Sequence, residues 1–398
     1  MQALTEKLNK VFASGRFNLI AFGIIAGLVL IAYSNTFTSS FHFDDNPSIV
    51  ENPEIKWMTS DNIMRLIAGN RPVVYLSLML NYQLGGLNVV GYHIFNIAVH
   101  IANSMFVYLL MLWTLKLPAV TAKYRGKAER MALFGALLFA VHPIQTESVT
   151  YIITRTELLA TFFYLGTFLL FIKGARANRS SYYVGAFFTA ALSMGSKEWA
   201  VTLPALLMIY DYLFISGGKV RVVASRWMVY AAVTIPWLIV LRNLDLFAVA
   251  SSGSGVGFNV STRSGITAQT FWLTSLNVIW TYIRLLFLPI HQNLDYEYPI
   301  AKTLFEFPTL LSLAGHAAVV SASFWLYKKK GWLLIPFGVA WFYIGLSPVQ
   351  SFVPIIDVVF EHRLYMPSIG FVIVFVTAYE GFFEWLEKKR MPDKSTAA

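Results

Sequence analysis

The sequence predicts an all-α polytopic membrane protein. Of its 398 residues, 57% are hydrophobic and 13% are charged, whereas ordinary soluble domains carry about 25% charged residues. A helix needs about 20 apolar residues to cross a bilayer. Segments of about that length lie at 17–35, 91–115, 131–142, 155–173, 181–195, 198–215, 228–242, 307–326, 332–348 and 366–386. No small-residue cleavage site follows the first segment, so we expect it to stay as an anchor.

Clusters of basic residues between these segments predict the orientation. By the positive-inside rule, all six clusters are cytoplasmic. They are Lys7/Lys10/Arg16, Lys123/Arg125/Lys127/Arg130, Lys173/Arg176/Arg179, Lys219/Arg221/Arg226, Lys328/Lys329/Lys330 and Lys388/Lys389/Arg390. Two further apolar stretches lie at 72–84 and 271–289. If either crossed the membrane once, an odd number of crossings would lie between two cytoplasmic clusters, which is impossible. We therefore predict that both are helices in the outer interface or re-entering it, covered by protein.

The predicted organisation is one transmembrane domain over residues 1–390. It has ten crossings, both termini inside, long outer loops at 36–90 and 243–306, and a polar tail at 391–398. The run from Ser251 to Gly255 is predicted to be a mobile loop. The net charge of +10 sits in the cytoplasmic clusters, so it does not indicate nucleic-acid binding. The absence of cysteine excludes disulfides, thiol chemistry and cysteine-ligated metals.

Most of the remaining ionisable residues fall on the outer face in this topology. The candidate site residues are Asp44, Asp45, Arg71, His142, Glu147, Lys197, Glu198, Arg284, Asp295, Tyr296, Glu361, His362 and Arg363. Asp44 and Asp45 follow the first apolar segment, either as a solvated helix end or as catalytic acids. In an extended segment their side chains would point to opposite faces. We therefore predict Asp44 as a base or acceptor-orienting group, and Asp45 as a residue that holds the loop or a cation.

The other candidates each allow a structural and a functional interpretation. His142 and Glu147 are either helix caps or the lining of a polar cavity, because an ionisable group at membrane depth is costly. Lys197, beside Glu198, either reaches the interface or binds a phosphate. Arg284 needs an anion or backbone carbonyls, because a guanidinium group stays charged.

The last polar motif is Glu361-His362-Arg363-Leu364-Tyr365. Its acid, imidazole and guanidinium predict either an internal ion pair or a phosphate site next to a tyrosine. The sequence contains no His-Glu-x-x-His motif, Gly-rich phosphate loop or Ser-His-Asp order. Carboxylates such as Asp45 and Glu147 could still hold a hard divalent cation, Mg²⁺ or Mn²⁺, through oxygen ligands, as could Asp44 and Glu198.

An ordered set of motifs carries a family resemblance. These are Phe43-Asp44-Asp45 with Asn52, Asn70-Arg71-Pro72, His142-Pro143 to Glu147, Arg155-Thr156-Glu157-Leu158-Leu159-Ala160, Ser196-Lys197-Glu198 with Val201-Thr202-Leu203-Pro204 and Asp211, Tyr282 to Arg284-Leu285-Leu286 with Pro289, Asp295-Tyr296, and Glu361 to Leu364-Tyr365-Met366-Pro367-Ser368-Ile369-Gly370-Phe371. Together they resemble the membrane half of the O-mannosyltransferases that carry tetratricopeptide repeats. The resemblance implies a GT-C glycosyltransferase bundle. It also implies a sugar donor carried on a polyprenyl phosphate at the outer or lumenal face, and a catalytic acid at Asp44 or Asp45.

The sequence departs from the family pattern in three places. Thr154-Arg155-Thr156 stands where most members have Gly-Arg-Ala. His362 stands where the animal members place the arginine that follows the glutamate, and Arg363 comes next. The family's tetratricopeptide repeats are not found in this sequence. The acceptor, a protein Ser/Thr or a glycan or lipid hydroxyl, is therefore not implied by the resemblance.

Elementary chemistry predicts what such a site needs. The phosphate leaving group departs ionised, so the reaction needs cations but no general acid. The acceptor hydroxyl must lose a proton to one carboxylate, and single displacement by that base predicts inversion. Arg71, Lys197, Arg284 and Arg363 are the cation candidates. Mannose, or another hexose, follows from the resemblance alone.

Two other classes of function compete with a transferase. A flippase or transporter for lipid-linked sugars would be expected to show internal repeats and charges reachable from both sides. A noncatalytic membrane scaffold would keep the cavity but bind a partner. For the transferase we expect a bacterial inner membrane rather than an ER membrane, with the active site on the periplasmic or lumenal side and membrane lipids around it.

Overall fold

The computed structural model describes residues 17–243, 266–355 and 357–390. Within these ranges the fold is all-α, as predicted, and contains no strand. The longer helices are α1 (Phe17–Ala32), α2 (Ser60–Ala68), α3 (Pro72–Gly85), α4 (Val89–Leu115), α5 (Ala128–Val141), α6 (Arg155–Ala177), α7 (Ser180–Met194), α8 (Leu203–Tyr210), α9 (Trp227–Asn243), α10 (Ala268–Phe287), α11 (Phe307–Lys330), α12 (Leu334–Leu346) and α13 (Ser368–Arg390). Short helical turns at Asn46–Val50, Pro143–Gln145, Thr146–Thr150, Ile152–Thr154, Glu198–Thr202 and Glu361–Leu364 connect them.

Each of the ten apolar segments contains a helix. By length and composition, five helical stretches in the described part of the chain could span a membrane: Val89–Leu115, Ile152–Ala177, Glu198–Ile215, Phe307–Lys330 and Ser368–Glu387. A sixth would be α5 together with Pro143–Thr150, which bend by 50° at His142. The helices Phe17–Ala32, Trp227–Leu238 and Leu334–Leu346 are apolar but shorter. The all-α membrane fold is confirmed, and the number of ten crossings stays a prediction.

Helices also form at the two stretches that we predict to lie in the outer interface. α3 begins after Arg71, whose backbone is left-handed (φ 58°), and Pro72 occupies its first turn, where a missing N–H costs nothing. α10 begins with a capping box between Thr267 and Thr270. One face of each helix is buried against its neighbours. Their depth in a membrane stays a prediction.

Close backbone contact joins α12 to α13. A methyl group added at Gly338 would lie 2.6 Å from the carbonyl oxygen of Gly370, so only a residue without a side chain fits there. Such small-residue contacts let helices approach closely in membranes. They fix α13, and with it the turn that precedes it, against the rest of the bundle.

Arg155 ties the start of α6 to the interior. The side chain is fully buried, and it donates to Asn96 Oδ1 at 2.9 Å, the Tyr92 carbonyl at 3.2 Å and Ser77 Oγ at 3.4 Å. Its guanidinium carbon lies 4.1 Å from the centre of the Phe95 ring. All three acceptors are neutral, so Arg155 holds α3, α4 and α6 together through hydrogen bonds.

Polar side chains gather at the two ends of the bundle. At one end Lys127 and Arg130 form ion pairs with Glu380. At the other end lie the outer-loop residues described below, and the 23 residues of α6 separate the ends by about 35 Å. Three predicted features fall outside the described residues: the Lys7/Lys10/Arg16 cluster, the Ser251–Gly255 run and the 391–398 tail.

Candidate functional site

The first outer loop presents its two adjacent acids in different ways. The backbone at Phe43 has a positive φ of 43°, and Asp44 lies in a turn before the helical turn Asn46–Val50. The predicted extended segment is therefore wrong, because the chain turns here instead of alternating. The two side chains still diverge: Asp44 is exposed, and Asp45 is only 1% exposed.

Asp45 joins this loop to the start of α6. Its Oδ2 accepts the backbone N–H of His42 at 3.1 Å, and its Oδ1 accepts that of Ile153 at 2.8 Å. Burial raises the pKa of Asp45 to about 6, although these N–H donors act in the opposite direction. These contacts are those of a residue that holds the loop.

Tyr151 completes the attachment and was not among the predicted site residues. Its hydroxyl accepts the backbone N–H of Asp44 at 2.8 Å. Burial raises the pKa of Tyr151, and the nearby carboxylates of Asp44, Asp45 and Glu147 raise it further. The hydroxyl therefore stays protonated among these three carboxylates. Its position between Glu147 and Arg155 in the polar segment was the available sequence signal.

Two predicted phosphate ligands are already paired with carboxylates. Arg71 makes a two-pronged contact with Glu198, with Nε to Oε1 at 2.8 Å and Nη2 to Oε2 at 3.0 Å. Lys197 Nζ lies 3.0 Å from Glu157 Oε1, and the indole N–H of Trp199 donates to the other oxygen of Glu157 at 2.6 Å. Glu157 is a second residue missed from the predicted set, although it lies in the motif that begins at Arg155.

Glu147 and His362 form the centre of this cluster. Glu147 Oε1 lies 2.5 Å from the Nδ1 of His362, and Oε2 accepts the His362 backbone N–H at 2.8 Å. Burial lowers the pKa of His362 to about 3, and the positive charges of Lys197, Arg363 and Arg71 contribute in the same direction. The imidazole is therefore neutral at neutral pH.

The motif Glu361-His362-Arg363 does not form the internal ion pair that was one of the two predictions. Buried Glu361 instead accepts hydrogen bonds from the Tyr296 hydroxyl, the Asn293 backbone N–H at 2.9 Å and the Gln292 amide. That prediction is wrong because the short helical turn Glu361–Leu364 directs its consecutive side chains to different neighbours.

Arg363 differs from the other cations of the site. It is 8% exposed, and it donates to the carbonyl oxygens of Val358 at 3.1 Å and Asp357 at 2.7 Å. Among the described residues, no carboxylate oxygen lies within ion-pair distance of it. Burial raises the pKa of Asp357, with the Asp295 and Asp44 carboxylates adding to the rise and Arg363 opposing it. Arg363 and Asp44 therefore lie near the same side chain.

The remaining candidates occupy the edge of the cluster. His142 uses both ring nitrogens, donating from Nε2 to the Leu286 carbonyl at 2.9 Å and accepting the Ile144 N–H at Nδ1, so it is the helix cap of the structural interpretation. Exposed Arg284 donates to the Ile290 carbonyl at 3.1 Å. Asp295 is exposed.

Three of the four carboxylates predicted as possible cation ligands, Asp45, Glu147 and Glu198, contact other protein groups. Both oxygens of Asp45 accept backbone N–H groups, and both oxygens of Glu147 contact His362. In the part of the chain that the structure describes, no group of three or more His, Asp or Glu side chains is placed to hold a metal ion. A divalent cation at Asp45 and Glu147 stays a prediction.

Comparison with known proteins supports the resemblance seen in the sequence. Human protein O-mannosyl-transferase TMTC4 is 23% identical over 92% of this chain and 56% of the human protein. Mouse protein O-mannosyl-transferase TMTC2 is 30% identical over 65% of this chain and 28% of its own length. The Caenorhabditis elegans protein O-mannosyl-transferase F38B6.6 is 25% identical over 88% of this chain and half of its own.

The chain spans about half the length of the relatives that it matches most fully. No protein-family model matches it, and neither does any solved structure. The similarity nevertheless covers 92% of this chain in the human relative and 88% in the C. elegans relative. The chain is therefore similar over most of its length to animal protein O-mannosyl-transferases.

Proposed function

We propose that this protein is a membrane glycosyltransferase that moves a hexose, with mannose as the first candidate, from a polyprenyl phosphate to an acceptor hydroxyl. The observation that carries the proposal is that the site holds both an exposed carboxylate, Asp44, and a buried cation that has no carboxylate partner among the described residues, Arg363, and that the charges of both act on the pKa of Asp357. One base and one phosphate-binding cation are the minimum that this reaction needs.

Asp44 is the proposed base. The carboxylate takes the proton of the acceptor hydroxyl, while the hydroxyl oxygen bonds to the anomeric carbon and the bond from that carbon to the phosphate oxygen breaks. The phosphate leaves with the bonding electrons, and the sugar carbon inverts. Two contacts fix the turn that carries Asp44: the Tyr151 hydroxyl at its N–H and the Asp45 carboxylate at Ile153.

Arg363 is the proposed ligand of the lipid phosphate. Arg71 and Lys197 each face a carboxylate, so a phosphate at either would have to displace or repel that anion. Arg363 offers an uncompensated charge, and guanidinium suits phosphate because its planar donors match two oxygens. Arg284 also lacks a carboxylate partner among the described residues, but it is exposed, so water screens its charge. We therefore narrow the predicted set of phosphate cations to Arg363, with Arg71 and Lys197 as supports of the cluster.

The position of the cluster suggests where the lipid enters and which side of the membrane the site faces. We propose that the lipid tail enters from the membrane past α3 and α10, and that the active site faces the periplasm or lumen. A protein Ser/Thr hydroxyl is the first acceptor to test, since the relatives are named protein O-mannosyl-transferases. Those relatives are animal proteins, so the comparison gives no support to the expected bacterial inner membrane. The proposed transfer step uses side chains of the protein alone.

The test is transfer from a radiolabelled mannosyl polyprenyl phosphate by purified protein in liposomes, with a serine/threonine-rich peptide as acceptor. Asp44→Asn should lower the rate by about 10²- to 10⁴-fold, the range for loss of a general base, while donor binding is kept. Arg363→Gln should weaken donor binding, and the control Arg284→Gln should not. Full transfer by Asp44→Asn would remove Asp44 from the role of base.

A further inference from the structure

The imidazole of His362 has one ring nitrogen that the fold leaves unused. Nδ1 contacts Glu147. Among the described residues no partner contacts Nε2, and this nitrogen is not one of the fully buried polar atoms without a partner. The ring stacks on Phe360 with 4.9 Å between ring centres, and Arg363 lies over the same Phe360 ring at 5.3 Å. The Phe360 ring thus contacts both His362 and Arg363 and helps to hold the imidazole in place.

Glu147 determines which ring nitrogen carries the proton. Burial raises the pKa of Glu147 to about 7, although the backbone N–H groups of His362 and Glu361 and the charges of Arg363 and Lys197 act in the opposite direction. Above that pH the carboxylate is ionised, and its second oxygen accepts the His362 backbone N–H at 2.8 Å, a contact that favours the ionised form. The neutral imidazole then holds its proton on Nδ1, facing the carboxylate, as in the carboxylate–imidazole pairs of enzymes. Nε2 is left with a lone pair and no proton.

The surrounding charges decide what that lone pair can do. Burial is the largest effect that opposes a positive charge on the ring, and Lys197, Arg363 and Arg71 add to it. These effects outweigh the favourable charge of Glu157 and keep the pKa of the ring low, although Glu147 contacts Nδ1. A general base must become positively charged as it takes a proton, so His362 is poorly suited to that role. A neutral ring also supplies no charge for a phosphate. The ring can accept a hydrogen bond from a neutral hydroxyl group without taking a proton and without carrying a positive charge.

We propose that Nε2 of His362 accepts a hydrogen bond from one hydroxyl group of the sugar being transferred, and that Glu147 is the positioning residue that keeps Nε2 unprotonated. The proposal rests on the proposed function, in which Arg363, the next residue in the chain, binds the phosphate of the same donor. The two consecutive side chains would then bind the two parts of the donor: His362 binds the sugar and Arg363 binds the phosphate.

The experiment measures equilibrium binding of lipids to purified protein in detergent, with Asp44→Asn as the background so that no turnover occurs. The probes are a polyprenyl phosphate, its mannosyl ester and a set of monodeoxy mannosyl esters. In the background protein, one deoxy ester should bind about tenfold more weakly than the mannosyl ester, the effect of one hydrogen bond. His362→Ala should bind those two esters equally, and the unglycosylated lipid with unchanged affinity.

A fluorine in place of the same hydroxyl tests the role of Glu147, because fluorine accepts hydrogen bonds but cannot donate them. The fluoro ester should bind as weakly as the deoxy ester when Nε2 is an acceptor. In Glu147→Gln the amide can turn its NH₂ to Nδ1 and move the ring proton to Nε2, so this variant should recover binding of the fluoro ester. Equal rejection of the fluoro ester by Glu147→Gln would overturn the positioning role.

Other outcomes separate this proposal from the proposed function. If His362→Ala still distinguishes the mannosyl ester from the deoxy ester, the proposed sugar contact is wrong. It is also wrong if this variant binds the unglycosylated lipid more weakly by the same factor as the mannosyl ester. If the protein with Asp44 intact binds the mannosyl ester with this discrimination but transfers nothing to any acceptor, the sugar contact stands and the transferase proposal fails. If it binds neither lipid, both proposals fail.

Discussion

Replacing Glu361 with alanine should detach the segment around Asn293 from the turn that carries His362 and Arg363. Glu361 is only 3% exposed, and its two oxygens accept from three donors: the Tyr296 hydroxyl, the Asn293 N–H and the Gln292 amide. Alanine removes all three acceptor contacts at once. The Gln292 amide still donates to the Pro143 carbonyl at 3.1 Å, whereas Asn293 and Tyr296 keep only contacts within their own segment.

The expected cost follows from counting those donors. A hydrogen bond to a charged group contributes about 1.5 to 3 kcal/mol. Asn293 and Gln292 are exposed in the structure, so water can take over two of the three contacts. We therefore expect Glu361→Ala to lower the free energy of unfolding by about 2 to 4 kcal/mol, a value that lies near the upper end for single substitutions.

Hydrogen exchange followed by mass spectrometry checks this prediction, because peptides covering residues 291–298 should exchange much faster in Glu361→Ala. Glu361→Gln is the matched control. Its amide keeps one acceptor oxygen, and Gln292 can turn its own amide to meet the new NH₂, so this variant should show an intermediate effect. Unchanged exchange at 291–298 in Glu361→Ala would refute the assignment of Glu361 as the tether.

Three further predictions concern stability, each measured as thermal unfolding in detergent. Gly338→Ala should destabilise by about 1 to 3 kcal/mol, because its methyl group meets the Gly370 carbonyl at 2.6 Å; Gly23→Ala, with no atom within 4 Å, should have no such effect. Arg155→Lys should cost about 2 to 4 kcal/mol, because an ammonium cannot reach three separate acceptors; an unchanged midpoint would contradict this. Asp45 has a raised pKa, so its contribution to stability is full below about pH 4 and is lost as the pH rises through about 6. Asp45→Asn should therefore flatten that part of the stability profile, and an unaltered profile would exclude Asp45 as its source.

Local features of the sequence were predictable because their causes are local. Apolar length and composition located a helix at each of the ten segments, and the proline after His142 marked the end of α5 at Val141. The capping role of His142 was one of the two interpretations open for it. The turn at Phe43 was missed, since its positive φ belongs to a residue type that seldom adopts it.

Pairing between distant side chains was not predictable. Arg71 and Glu198 are 127 positions apart, and Glu147 and His362 are 215 apart. Nothing in the spacing of these residues selects one partner over another. As a result, four cations were equal candidates for the phosphate until the structure paired Arg71 and Lys197 with carboxylates and showed Arg284 exposed and Arg363 buried.

The sequence by itself determined the all-α membrane fold, the family resemblance and the set of polar residues from which a site could be built. These depend on hydropathy, charge position and motif order, which are properties of the chain before it folds. The tertiary structure decided how that set is divided: Asp44 exposed and Asp45 buried, Arg71 and Lys197 paired with carboxylates, and Arg363 left with carbonyl oxygens. That division depends on how the helix ends pack, because packing determines which carboxylate reaches which cation.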